Sequence, residues 1–164
     1  MTDADFRDAF HRHKDIVYRF AYRMTGSSST AEDVVQDCFV AFWQKPQAYD
    51  PSRGALRPFL LGVARNLVLK RWRGERPHQE LEDDSSVCLP FDMEGQERAE
   101  AVKQAILLLP PLQREAVILA EYEEMSLEEI AHATAAELAA VKSRLHRARQ
   151  NLRRMLEPLF ALER

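Results

Sequence analysis

Apolar residues recur along this chain almost everywhere at helical spacing. Phe6, Phe10, Val17, Phe20 and Met24 fall on one face of a first helix. "TGSSST" interrupts the pattern, and Ser29 followed by Glu32 reads as a capping box opening a second helix that runs through Trp43. Val35, Cys38, Phe39 and Phe42 supply its buried stripe. "QKPQAYDPSRG", broken by Pro46, Pro51 and Gly54, is a loop, and a third helix follows from near Pro58 to Arg73. Periodicity then lapses from Gly74 and returns with Val102, Ile106 and Leu109. Pro110–Pro111 close that helix, and Pro111 opens the next, where Leu112, Ala116, Leu119 and Ala120 share a face. Ser126 with Glu129 is a second capping box, leading into the short helix "LEEIAHA". A brief connection at 134–137 precedes a last long helix. No alternating strand pattern is present. The expected fold is all-α, with two small helical domains at residues 1–74 and 97–164 joined by an acidic linker at 75–96.

Charge sharpens this division. The formal net charge is only −3, yet residues 53–76 carry +6, residues 77–100 carry −7, and residues 141–154 carry +6. Two basic blocks separated by acid argue for two binding surfaces, not one basic tail. No apolar run approaches the roughly 18 residues needed to span a bilayer. The start, "MTDADFRDAFHRHKD", is too charged for a secretory signal, so the expected compartment is the cytoplasm without membrane insertion. Cys38 and Cys88 make neither a disulfide framework nor a metal-ligand spacing, and neither cofactor nor metal is expected. The histidines are scattered, with no Ser/His/Asp or glycine-rich phosphate pattern, so no catalytic residue is expected and an enzyme is the weakest reading.

The second basic block is more than a solvated helix face. Val141, Leu145, Ala148, Leu152 and Met155 form an apolar stripe, flanked by Lys142, His146, Arg149 and Arg153 on one side and Arg144, Arg147, Asn151 and Arg154 on the other. With the short capped helix before it, this is helix-turn-helix patterning, whose second helix enters a major groove by its N-terminal residues. Lys142, Ser143 and Arg144 occupy that end; Arg147 and Arg149 suit phosphates. In the first block, Phe59, Val63, Asn66, Lys70 and Arg73 share one face of the third helix, with Arg65, Leu69 and Trp72 beside it. Aromatic rings for stacking with cations along the backbone are the chemistry of a single-strand site. Against this, Phe59 and Trp72 taken singly read as core.

"AEDVVQDCFVAFW", "RPFLLGVARNLVLKRWR", "LPPLQREAVILAEYEEMSLEEIA" and "VKSRLHRAR" occur in that order, and together they resemble the extracytoplasmic-function (ECF) group of bacterial sigma-70 RNA polymerase sigma factors. The resemblance runs from about residue 16 to 154. It implies a minimal sigma factor of domain two and domain four, which binds core RNA polymerase and directs promoter-specific initiation without being an enzyme. On that resemblance Asp33, Gln36, Asp37, Phe39 and Trp43 dock on the β′ clamp helices, and the second domain meets the β flap. Arg57, Phe59, Arg65, Asn66, Lys70, Arg71, Trp72 and Arg73 belong to the segment that melts and reads the −10 element as a single strand. Lys142, Ser143, Arg144, Arg147 and Arg149 belong to the −35 reader on duplex promoter DNA. The acidic linker corresponds to the segment threaded toward the polymerase active-site and RNA-exit channel, and a cognate anti-sigma factor is an expected partner.

The chain departs from the family pattern at Ala135, where Gly is usual in the helix-turn-helix turn, at Ala139–Ala140, usually Gly-Thr, and at Phe59, often Trp. Ala135 strains the turn if that position needs positive φ. Two competing readings remain at this point. One is a helix-turn-helix regulator that is not a sigma factor, which leaves the aromatic basic helix unexplained. The other is a sigma-like protein that sequesters an anti-sigma factor.

Overall fold

The computed structural model describes residues 1–75 and 98–161, so nearly all of the expected linker, Cys88 included, lies outside the described residues. Among the described residues all regular structure is helical. The elements are α1 (Asp3–Thr25), α2 (Ser28–Gln44), α3 (Leu56–Glu75), α4 (Arg98–Leu108), α5 (Pro111–Val117), α6 (Leu127–Ala133) and α7 (Leu138–Ala161). Short 3-10 turns at 46–48 and 51–53 occupy the predicted loop, and a π-turn at Ile118–Tyr122 extends α5.

Local chemistry sets the helix ends. Thr2 and Asp5 form a reciprocal capping box on α1, with bonds of 3.0 and 3.1 Å. α1 ends at Gly26, whose φ of 69° is the left-handed conformation that glycine adopts without steric cost. The chain has already reversed there, so the extended Ser27 is the residue positioned to cap α2. Its hydroxyl accepts from the Thr30 amide at 3.2 Å. The cap is therefore Ser27, and the predicted Ser29–Glu32 box is not formed. α3 starts at Leu56, placing Pro58 in the first turn, and continues through Gly74 to Glu75, two residues past the expected end at Arg73.

Val17, Phe20 and Met24 of α1, Val34, Cys38 and Phe42 of α2, and Leu60, Leu61 and Val68 of α3 fill the first unit. Phe39 joins them: it is 3% exposed and meets Phe10 edge-on with centroids 5.0 Å apart. Burying such a ring stabilises by about 1.5–3 kcal/mol, which assigns Phe39 to the core and removes it from the expected docking face. In the second unit α7 packs on α4, α5 and α6, with Val141, Leu145, Ala148 and Met155 of the predicted stripe buried and Leu152 half-buried. Asn151 is also buried; its amide donates to Gln113 Oε1 at 2.7 Å, so it belongs to the packed side of α7 and not to the cationic flank.

The two units share one continuous cluster of buried side chains. α1 meets α4, α5 and the π-turn, and α3 meets α6. Gly62 of α3 permits that last approach, because a Cβ there would stand 3.1 Å from the Ala133 carbonyl oxygen.

Candidate nucleic-acid interface

α3 divides its functional candidates between two faces. Asn66, Lys70 and Arg73 are exposed, and Phe59 at their N-terminal end is half-buried against Tyr49, with centroids 5.4 Å apart, and against Phe42. The predicted aromatic and cationic face therefore exists and meets solvent. Arg57, Arg65 and Trp72 instead face the second unit. Arg65 grips Glu115 bidentately, Nε to Oε2 at 2.7 Å and Nη2 to Oε1 at 3.0 Å, and its Nη1 donates to Asn66 Oδ1 at 3.1 Å. Arg57 donates to the Glu123 carboxylate and to the Glu123 carbonyl, both at 2.7 Å. The Arg114 guanidinium lies 5.0 Å from the Trp72 ring and donates to the Met24 carbonyl at 2.5 Å. Burial pushes Arg114 down to about 10, still protonated at neutral pH.

Arg71 turns toward α2, 2.9 Å from Asp37 and 3.9 Å from Asp33. With Gln36, those acids border an exposed strip that ends in Trp43, 47% exposed, its edge on Phe6. Val40 sits in the same strip at 52% exposure. Sequence reasoning missed it, although helical spacing from Gln36 and to Trp43 was the available signal.

The helix-turn-helix is built as its sequence signals indicate. Ser126 and Glu129 form both bonds of the second capping box, at 3.0 and 3.1 Å. α6 closes in a Schellman motif: Ala136 N–H donates to Ala131 O at 2.9 Å and Ala135 N–H to His132 O at 3.3 Å. The motif needs a left-handed residue, and Ala135 occupies it at φ 51°. Beyond the turn Lys142 and Ser143 are exposed on the first turns of α7, with Arg144 and Arg147 half-buried beside them. Arg149 reaches Glu121 at 2.6 Å in an exposed pair, the kind a competing phosphate displaces at little cost. Cys38 is held away from chemistry: burial pushes its thiol up to about 12, and Sγ lies 3.6 Å from the Leu60 carbonyl.

A basic helix at the edge of one helical unit and a helix-turn-helix in the next define a class of helical nucleic-acid-binding proteins. Residues 9–77 match the Sigma-70 region 2 family and residues 99–152 the Sigma-70, region 4 family. The chain is 37% identical over 150 residues to the ECF RNA polymerase sigma factor SigE of Mycolicibacterium smegmatis, covering 87% of this chain and 58% of that relative. It is 30% identical over 156 residues to the ECF RNA polymerase sigma factor RpoE of Cereibacter sphaeroides, covering 92% of this chain and 86% of the relative. The sigma factor RpoE from Bartonella quintana, solved in complex with the anti-sigma factor NepR, superposes with a TM-score of 0.73 at 26% identity, covering 93% of this chain and 97% of that one. The chain belongs to the ECF sigma factors of the sigma-70 family.

Proposed function

We propose that this protein is an alternative sigma factor that binds core RNA polymerase and directs it to promoters by reading −10 and −35 elements. The observation that carries the proposal is the pairing on one chain of a stacking-capable basic face, Phe59 to Arg73, with a helix-turn-helix presenting Lys142 and Ser143. A helix-turn-helix regulator that is not a sigma factor has no use for the first of these. The domains are taken as residues 1–74 and 97–164. On domain two, Asp33, Gln36, Asp37, Val40 and Trp43 form the polymerase-docking strip, an apolar centre ringed by acids. Asn66 reads an unpaired base edge, Phe59 stacks, and Lys70 and Arg73 track the backbone. Arg57, Arg65, Arg71 and Trp72 join them once released from their present partners. On domain four Lys142, Ser143 and Arg144 approach base edges, while Arg147 and Arg149 hold phosphates. The polymerase supplies the chemistry, and the protein works in the cytoplasm. No helix among the described residues is long and apolar enough to cross a membrane. An anti-sigma factor is the expected regulator, supported by the likeness to the NepR-bound Bartonella protein.

Run-off transcription with purified core polymerase on sheared genomic DNA tests the reading. Initiation that depends on this chain, from start sites sharing two upstream elements, is expected. Failure to alter polymerase initiation on any template sinks it.

A further inference from the structure

Glu115 and Glu123 are 1% exposed, and both lie where domain four meets domain two. Unpaired carboxylates are not buried this deeply, because desolvation of the charge outweighs anything the fold gains. Domain two supplies an arginine to each of them. Arg65 holds Glu115 in a fork, with its own side chain only 14% exposed. Arg57 takes one oxygen of Glu123 at 2.7 Å, and Arg23 stands 3.9 Å from the other. Around this pair Arg114 reaches the Met24 carbonyl and covers Trp72. Gly62 approaches the backbone of Ala133 so closely that a Cβ there would lie 3.1 Å from the Ala133 carbonyl oxygen, a contact that needs a few tenths of an ångström of adjustment. Forked, desolvated carboxylates on arginine reproduce what a nucleic-acid phosphate would offer the same guanidinium groups.

The geometry also forbids this arrangement during promoter reading. Elements named for positions −10 and −35 lie about 25 base pairs apart, on the order of 80 Å at the 3.4 Å spacing of duplex DNA. α3 and α6, one from each reading domain, are in van der Waals contact. The two readers must separate before both can engage.

We infer that Glu115 and Glu123 form an intramolecular phosphate-mimicking surface that occupies Arg57 and Arg65 of the strand-melting helix while Arg114 covers Trp72, so that the free chain is latched shut without any partner protein. The inference rests on the sigma-factor reading above and adds to it the residues that close the molecule. The latch is partial: Arg57, Arg65 and Trp72 are engaged by domain four, while Asn66, Lys70 and Arg73 of the same helix and Lys142 and Ser143 of the duplex reader remain exposed. Strand binding that draws on the covered residues is therefore weakened in proportion to the open fraction of the free chain.

The test uses the full chain. Glu115→Gln with Glu123→Gln keeps shape and removes both charges. Asp15→Asn with Glu128→Gln, both at exposed positions, makes the same change in net charge as a control. The probe is a fluorescent mixed-sequence single-stranded oligodeoxynucleotide. The latch variant should bind it about tenfold more tightly than the parent or the control, with duplex binding unchanged. Equal gains in the latch and control variants would assign the effect to net charge and overturn the inference. If the latch variant loses its helical circular dichroism, a second pair decides. A Cβ at Gly62 stands 3.5 Å from that of Ala133, within disulfide range, so Gly62→Cys with Ala133→Cys in a Cys88→Ser background joins the domains on oxidation. The oxidised form should lose promoter-dependent transcription with core polymerase and regain it on reduction. Equal transcription by both forms overturns the latch. Transcription absent even with the unaltered chain is instead the failure of the functional reading.

Discussion

Ala135 shows how one side chain can work against its own backbone. The αL position that closes α6 carries a Cβ, which crowds the following carbonyl. The Schellman bonds keep it there because the turn must deliver α7 at the right angle to α6. Ala135→Gly should stabilise the protein by about 0.5–1 kcal/mol, the relieved strain less the added entropy of the unfolded chain. Thermal unfolding reads this as a higher Tm, and an unchanged or lower Tm would show that the turn has relaxed around alanine. Cys38 is the opposite case, a reactive side chain made inert by its surroundings. With its thiol pushed up to about 12 by burial, the thiolate needed for oxidation or alkylation is scarce at neutral pH. In a Cys88→Ser background, maleimide labelling of Cys38 should require denaturant.

At the scale of elements, α3 keeps two chemistries apart on adjacent faces. Asn66 belongs to the open face, and its carbonyl oxygen is oriented by Arg65. Asn66→Ala should therefore impair open-complex formation more than closed-complex binding, since a base edge can be read only after the strands part. The loss should be partly recovered on a pre-melted bubble template, measured by permanganate footprinting. A deficit of equal size on duplex and bubble would mean that Asn66 acts elsewhere. Phe59→Ala is a poorer probe because the ring also packs on Phe42 and Tyr49. Elements such as these were legible because their signals are local. The Ser126–Glu129 box and the α7 stripe each lie within a few residues of themselves and formed as patterned. The Ser29 box did not, because Gly26 turns the chain early enough to make Ser27 the cap. Phe39 went to the core because it continues the stripe of Cys38 and Phe42, leaving Val40 on the exposed side.

At the scale of the molecule, sequence reasoning gave the acidic linker a place in the polymerase channels. The described residues contain a shield over DNA-binding residues within the two domains themselves. Glu115 lies 50 residues from Arg65, and Glu123 lies 66 from Arg57. No periodicity links such pairs, and in isolation each glutamate reads as one more charge on a solvated helix. Their roles appear only when α3 is laid against α5 and α6. The central claim is that one chain holds two readers which are closed on each other when free and drawn apart on a promoter. Gln47 and Glu157 are exposed, lie on opposite domains and belong to no proposed site. With dyes at Gln47→Cys and Glu157→Cys in a Cys88→Ser background, single-molecule energy transfer follows the separation directly, and the buried Cys38 stays unlabelled. The account predicts one high-transfer population for the free chain and a shift to low transfer with core polymerase and promoter DNA. The same distance in both states, in a complex that transcribes, would contradict it.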